Sequence, residues 1–376
     1  VEVMDPPCEL TWYPNAAANR HPSFPCDEQK LKRTMKSTKV RPLLARPGAR
    51  YTCFGDGLCC TDIHGLGPLT KSEFVQIRLL DEAGADFDDG FDDRMLNTAP
   101  DGGCHFLLPD LRCGVHAEYG PEAKPDGCRR FPLGLVATPE GGRITTRHRC
   151  PCRTLGDRPE VTAEATLPSI VNKKGQPRAD ESVNKVRIGK DKVSFAEWVQ
   201  VERELLGQLQ AGVKAEEVLD AQPFPPLKKR KDWDHYATEF VEALDGSSFG
   251  NAIGTMGEAI RALRDPSHSP RFPRRTWAPA FDRAEERSSM ERTEDALFND
   301  WIADEIWSLE WVGERGWDIA RIELATRLAV GRFIAKWLQE VNGCRPDRAA
   351  AEAIMVIELV GESEFWAEVV ARIKRP

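Results

Sequence analysis

Between positions 53 and 152 the chain carries eight cysteines: Cys53, Cys59, Cys60, Cys104, Cys113, Cys128, Cys150 and Cys152. Thiolates are soft donors that hold zinc, copper(I) or iron–sulfur clusters, and such sites gather their ligands from a few short loops. Four of them close a tetrahedral zinc site or bind a cubane cluster. The density therefore points to a metal-binding module over residues 50–153. Disulfides are the competing use of cysteine. The adjacent Cys59-Cys60 and the spacing Cys150-Pro-Cys152 make poor partners for a disulfide framework. The first residues, acids and prolines with a Trp, lack the basic head and apolar core of an export signal. A reducing, cytoplasmic setting with metal-bound thiolates is the expectation. Ten of the eleven cysteines precede residue 153, and only Cys344 follows.

The chain has 376 residues, enough for two domains or one large domain with a satellite. A net charge of -8 argues against nucleic acid as a partner, because counterion release needs a concentrated basic surface. No apolar run approaches the 18 or so residues of a membrane span.

Four regions follow from the changes in pattern. Residues 1–49, rich in Pro, Lys and Arg, read as an extended arm with Cys8, His21 and Cys26 scattered along it; Cys8 and Cys26 lack metal-ligand spacing to each other and read as bystanders before extra ligands. Residues 50–153 form the cysteine module. Thr70-Lys-Ser-Glu73 is a capping box that opens a short helix ending near Gly84. The acidic, Gly-rich stretch 84–103 reads as a loop. A hairpin is expected where Pro109-Asp-Leu-Arg112 separates Cys104 from Cys113, and a second at Pro139-Glu-Gly-Gly142 between 133–138 and 143–148. Residues 154–193 read as a linker with room for a short hairpin. From 194 to 376 the pattern turns helical: Ser194-Phe-Ala-Glu197 is another capping box, and helices are expected near 195–209, 233–244, 252–264, 293–312, 317–341, 347–360 and 363–373. Nine of the ten tryptophans lie here, at spacings that suit a core stripe. The expected class is α+β, mostly α.

Within the cysteine module, Gly55 and Gly57 can take the positive φ angles that wrapping backbone around a metal requires. Arg129 and Arg130, beside Cys128, either offset clustered thiolate charge or serve as surface charges. His64, His105, His116 and His148 all fall near the cysteines, and for His105 and His116 a supporting or surface role is expected. No Ser-His-Asp order, P-loop or dinucleotide fingerprint is present.

These residues resemble the YkgJ-type cysteine-cluster family, zinc- or iron-chelating proteins with a C-x2-C-x2-C-C motif. Cys53, Cys59 and Cys60 match its first, third and fourth cysteines. Cys104-His-Phe-Leu, Cys113-Gly-Val-His, Pro125-Asp-Gly-Cys128-Arg-Arg-Phe-Pro132 and Cys150-Pro151 follow in the family's order, so the resemblance covers residues 50–152. It implies a metal ligand set of these cysteines, with Cys152 as a neighbour that has no clear family counterpart. At the family's second cysteine this chain has Asp56, followed by the family's glycine as Gly57. Asp56 is either a hard oxygen ligand, shifting the site toward iron or a more open zinc, or only the start of an Asx-turn.

Three functions follow as expectations. The first is a metal-binding protein, holding zinc, iron or an iron–sulfur cluster (4Fe-4S among them), whose helical domain contacts a protein partner or substrate. The second is a metal-dependent or iron–sulfur enzyme. Residues 293–311 are loosely similar to a helical segment of the flagellin lysine-N-methylases (FliB-like proteins), which also join a cysteine-rich region to a helical one, though no S-adenosylmethionine loop is legible. The third is a scaffold with structural zinc. The metal, the substrate or partner and the oligomeric state are open at this level.

Overall fold

The computed structural model describes residues 42–89, 92–172, 175–228, 231–288, 292–312 and 316–374. All of them belong to one unit, Arg41–Pro376. Cys8, His21 and Cys26 lie outside the described residues. Helices dominate and the strands are short, so the class is α+β, mostly α.

The helical half is built as its apolar spacing requires. Ser194 caps the helix Phe195–Gln210: its Oγ accepts from the Glu197 N–H, and Glu197 accepts in return from the Ser194 N–H at 2.7 Å. That reciprocal cap satisfies two donors that a helix start otherwise leaves open. Helices Trp233–Glu242, Ser248–Arg264, Glu294–Ser308, Trp317–Asn342, Pro346–Gly361 and Glu364–Arg372 follow. Pro346–Gly361 is the central one. Its residues 347–360 are all buried, which is the behaviour of a helix surrounded by others. Ala349, Ala350, Ala351 and Ala353 keep it thin, and Gly331 lets Trp317–Asn342 approach: a Cβ there would lie 2.7 Å from Ile357. Among the described residues the tryptophans are core, Trp337 being partly buried against it. Trp198, Trp301 and Trp366 are fully buried, and Trp198, Trp311 and Trp317 pack ring against ring. Each buried aromatic contributes on the order of 2–3 kcal/mol of transfer free energy.

A four-stranded sheet covers one side of this body, in the order Leu43–Ala45, Gly142–Thr146, Leu133–Ala137, Glu181–Ser182. Its central pair is the hairpin expected around Glu140-Gly-Gly142, in register Leu133↔Thr146 to Ala137↔Gly142. The first strand runs parallel to Gly142–Thr146 and comes from the end of the stretch read as an extended arm. It is a strand because Leu43 and Ala45 pack with Leu135 and Ile144 in a small apolar cluster.

Two stretches fold more than their composition suggests. The acidic run expected as a loop forms an antiparallel ribbon, Ala85–Asp88 with Asp93–Leu96; Ala85, Met95 and Leu96 are buried while Asp86, Phe87 and Asp88 are exposed. The stretch expected as a linker carries the helix Ala163–Ile170 and the hairpin Lys185–Ile188 with Asp191–Ser194. Conversely, the hairpin expected at Cys104–Cys113 shrinks to the single bridge Leu107↔Cys113. Cys113 already stands at the start of the helix Gly114–Tyr119, so the second strand has no length in which to form.

Candidate metal centre

The cysteine loop is shaped by two left-handed glycines, Gly55 at φ 76° and Gly57 at φ 81°. A side chain at Gly57 would also meet Leu111 at 3.2 Å. The loop passes into the short turn Leu58–Cys60, whose Leu58 sits in the main core. Two arginines on the helix Ala278–Glu286 and just beyond it clamp the loop: Arg283 donates to the Asp56 carbonyl at 2.7 Å, and Arg287 donates to the Phe54 carbonyl.

Around this loop the fold brings the candidate residues together. Cys53, Asp56, Cys59, Cys60, Cys113, Cys128, Cys150 and Cys152 line one cavity of ≈ 760 Å³. Cys104 stands behind it, its backbone N–H donating to the Cys60 carbonyl at 2.8 Å and its side chain packed with Cys60, Cys113 and Cys128. The donors come from five separate segments, and every one of these thiols is free. Two neighbourhoods can be distinguished. Asp56, Cys150 and Cys152 are buried and place ligand atoms within 4.8 Å of one another. Cys59 and Cys60, with sulfurs 3.9 Å apart, lie toward Cys104, Cys113 and Cys128. Cys344 lies elsewhere, beside Arg275.

Asp56 makes the Asx-turn with one oxygen and holds the other among the thiols. Its Oδ1 accepts the Leu58 N–H at 2.8 Å, the Asx-turn that starts the loop. Its Oδ2 accepts from the Cys152 thiol at 2.6 Å, in the midst of the sulfurs. The turn uses one oxygen and leaves the other facing the thiols.

The electrostatics state what such a cluster lacks. The Cys53 thiol is pushed up by its hydrogen bond to Cys152 and then by burial. Cys59 is raised by its bond to Cys60 and by burial, and Cys152 by its bond to Cys150 and by burial against a bond to Cys53 that lowers it. Burial raises Cys104 to about 11 and Cys128 to about 12. Neighbouring thiolates cannot all ionise without a countercharge, and the nearby cations supply only part of one: Lys124 lowers Cys104 and Cys128, and Arg158 faces Cys152, Asp56 and Cys150. Arg129 is committed to Asp126 and the Val171 carbonyl, and Arg130 to Asp180. A bound cation is the countercharge this donor set fits: soft sulfurs in excess of four, with one carboxylate oxygen.

The histidines divide. His116 lines the cavity. His105 is tied to Asp81 at 2.7 Å, away from the sulfurs. His64 packs on Phe131, and neither ring nitrogen finds a hydrogen-bond partner among the described residues. His148 is fully buried and bonds Asp304 at 2.8 Å; burial, then Arg153, lower its pKa to about 4, so it is neutral.

His148 belongs to a polar network that was not legible in the sequence. The one-turn helix Pro151–Thr154 presents Cys152 to the thiol cluster and Arg153 to the opposite side. Arg153 bridges Asp300 at 2.8 Å and Asp304 at 2.7 Å on the helix Glu294–Ser308, and Arg46 bonds the same two carboxylates. Thr146 donates to Asp304 at 2.5 Å. Burial alone would raise both carboxyls, but Arg153 and Arg46 hold them well below the usual carboxylate range.

Comparison with known proteins finds no matching family model, no similar curated protein and no similar solved structure. Among the described residues, no helix is long and apolar enough to cross a membrane.

Proposed function

We propose that this chain is a metal-binding protein of the cysteine-cluster kind, in which Cys53, Cys59, Cys60, Cys104, Cys113, Cys128, Cys150 and Cys152, with Asp56, hold zinc, iron or an iron–sulfur cluster. The observation that carries this reading is the convergence of nine donor residues from five segments around one cavity, with every thiol free. The resemblance at residues 50–152 agrees with it. Purification under anaerobic conditions followed by elemental analysis tests it directly. Brown protein with charge-transfer absorbance identifies an iron–sulfur cluster, colourless protein with stoichiometric zinc identifies zinc, and a chain that retains neither under any loading condition overturns the proposal. The helical body is the surface offered to a protein partner or substrate.

Two substitutions refine the ligand set. Cys60→Ser is expected to abolish metal loading, because the adjacent Cys59 and Cys60 share one tight turn and a changed donor there disturbs both. Cys344→Ser, remote from the cavity, should leave the stoichiometry intact. Equal losses in the two variants would sink the assignment.

Asp56→Asn separates the turn from the charge. The amide oxygen can still accept the Leu58 N–H, so the melting temperature of the chain should hold. Metal affinity should fall by about ten-fold or more, since an anionic donor is lost among the sulfurs. Unchanged affinity in titrations against a competing chelator would reduce Asp56 to a turn residue.

A further inference from the structure

The nine donors at the cysteine cavity outnumber the four that one tetrahedral ion or one cubane cluster takes from a protein. The fold sorts them into two sets. Asp56, Cys150 and Cys152 are all buried, with their ligand atoms within 4.8 Å of one another. Donors sharing one zinc stand about 3.8 Å apart when the metal–sulfur bonds are about 2.3 Å, so these three need only a small contraction to close on a single ion. Cys53 is at hand for the fourth position. Its thiol bonds Cys152, and the next residue, Phe54, donates its N–H to the same sulfur at 3.4 Å. Cys60, Cys104, Cys113 and Cys128 instead pack together in the small apolar cluster with Leu66, Ile77 and Val115, and Cys59, 3.9 Å from Cys60, goes with them. Cys53, Cys150 and Cys152 are not part of that cluster.

The two sets are anchored to different parts of the fold. Arg283 holds the Asp56 carbonyl, and Cys152 is followed by Arg153, pinned on Asp300, and by Leu155 of the main core. The second set rests on the short elements between residues 66 and 131. A cation also stands over the first set. Arg158 stacks on Phe54 at 4.0 Å and faces Cys152, Asp56 and Cys150. Its Nε and Nη2 are buried and find no hydrogen-bond partner among the described residues. Zinc cancels only half the charge of three thiolates and a carboxylate, and an unpartnered guanidinium beside the site answers the remainder.

We propose that the donors form two separate centres, and that Cys53, Asp56, Cys150 and Cys152 hold a single zinc ion of their own. The two-centre arrangement rests on the metal-binding reading above. Zinc accepts thiolate and carboxylate alike, whereas an iron–sulfur cluster takes thiolate at its corners. Zinc in the first set and a coloured cluster in the second are therefore compatible within one chain. The turn Leu58–Cys60 starts at the Asp56 bond to the Leu58 N–H and delivers Cys59 and Cys60 to the second set, so a change at Cys60 reaches both centres. Changes at the far ligands reach one each.

Native mass spectrometry of the full chain, purified anaerobically and loaded with zinc, counts the centres. Two are expected, one of them a lone zinc. Cys150→Ser with Cys152→Ser should lose that zinc and keep the second centre; Cys113→Ser with Cys128→Ser should do the reverse. Asp56→Asn, which keeps the turn and so the fold, gives a check free of misfolding. In titration against a chromophoric chelator one zinc should leave about ten-fold more readily than in the parent, with the second centre unchanged. A single centre per chain, loss of all metal from either cysteine pair, or an Asp56→Asn variant that weakens every equivalent alike would overturn the two-centre arrangement while leaving metal binding standing. A chain that binds no metal at all overturns both.

Discussion

Stripping the metal from the loaded chain is expected to open residues 66–131 while the helices from residue 195 onward keep their protection. The elements in that segment are short. The helices Gly114–Tyr119 and Asp126–Arg130 have six and five residues, far below the length at which a helix holds itself together in water. Their shared apolar cluster has seven buried members, Leu66, Leu69, Ile77, Ala85, Leu96, Cys104 and Val115, and one of these is itself a donor candidate. Thiolate coordination in small modules supplies on the order of 10 kcal/mol of folding free energy, more than so small a cluster can replace. The boundary of the opening follows from the contacts. Leu58 and Ile63 belong to the main core, Arg283 and Arg287 hold the loop at 54–56, and the Ser248 N–H donates to Asp62 at 3.0 Å. The sheet strands at 133–146 are likewise tied to the helices through Trp307, whose Nε1–H donates to the Ile144 carbonyl at 2.9 Å. Hydrogen exchange before and after chelation, read by mass spectrometry, checks this. Equal protection of residues 66–131 in both states would show that the cysteines are not what holds the segment.

What the sequence made legible and what it did not separate along one physical line. Signals carried by neighbouring residues came through: the capping boxes at Thr70 and Ser194, the Gly-Gly hairpin at 133–146 and the long helices between 195 and 372 are where their residues place them, whereas the helices Ala215–Leu219 and Ala278–Glu286 were not expected. So did the glycines of the cysteine loop. The ribbon at 85–96 was hidden because exposed aspartates occupy much of a strand only partly buried by its few apolar residues. The shortness of Cys104–Cys113 was hidden because a helix start at Cys113 carries no side-chain cap to announce it. The Arg46–Asp304 pair joins residues 258 positions apart, and nothing local marks either as buried. A helix with acids at 300 and 304 reads as solvent-facing until its basic partners are found. The dense cysteines were visible individually, but the role of Asp56 was not, since only the fold shows one oxygen in the turn and the other against Cys152.

Arg153→Met should be the most damaging single change outside the cysteines, lowering stability by about 3–5 kcal/mol in urea unfolding of the full chain. Its side chain is fully buried and makes four hydrogen bonds, to Thr146, to both oxygens of Asp300 and to Asp304. Met fills similar volume without charge, so the loss would not be a cavity. Two carboxylates would remain buried against Arg46 and the rim residue Arg292. Neutralising them should therefore rescue: Asp300→Asn with Asp304→Asn in the Arg153→Met background is expected to recover more than half of the loss, although each carboxylate change alone is destabilising in the parent. The pH dependence has a definite sign. Both carboxyls have folded pKa values depressed below the ordinary value near 4, so their contribution is complete above that value and is lost as pH falls beneath it. The parent chain should thus lose stability more steeply than Arg153→Met on acidification below about pH 4, and the two should converge. A loss under about 1 kcal/mol, the ordinary range of a surface pair, or a gap that persists undiminished into acid, would mean that Arg153 holds Cys152's turn by shape alone.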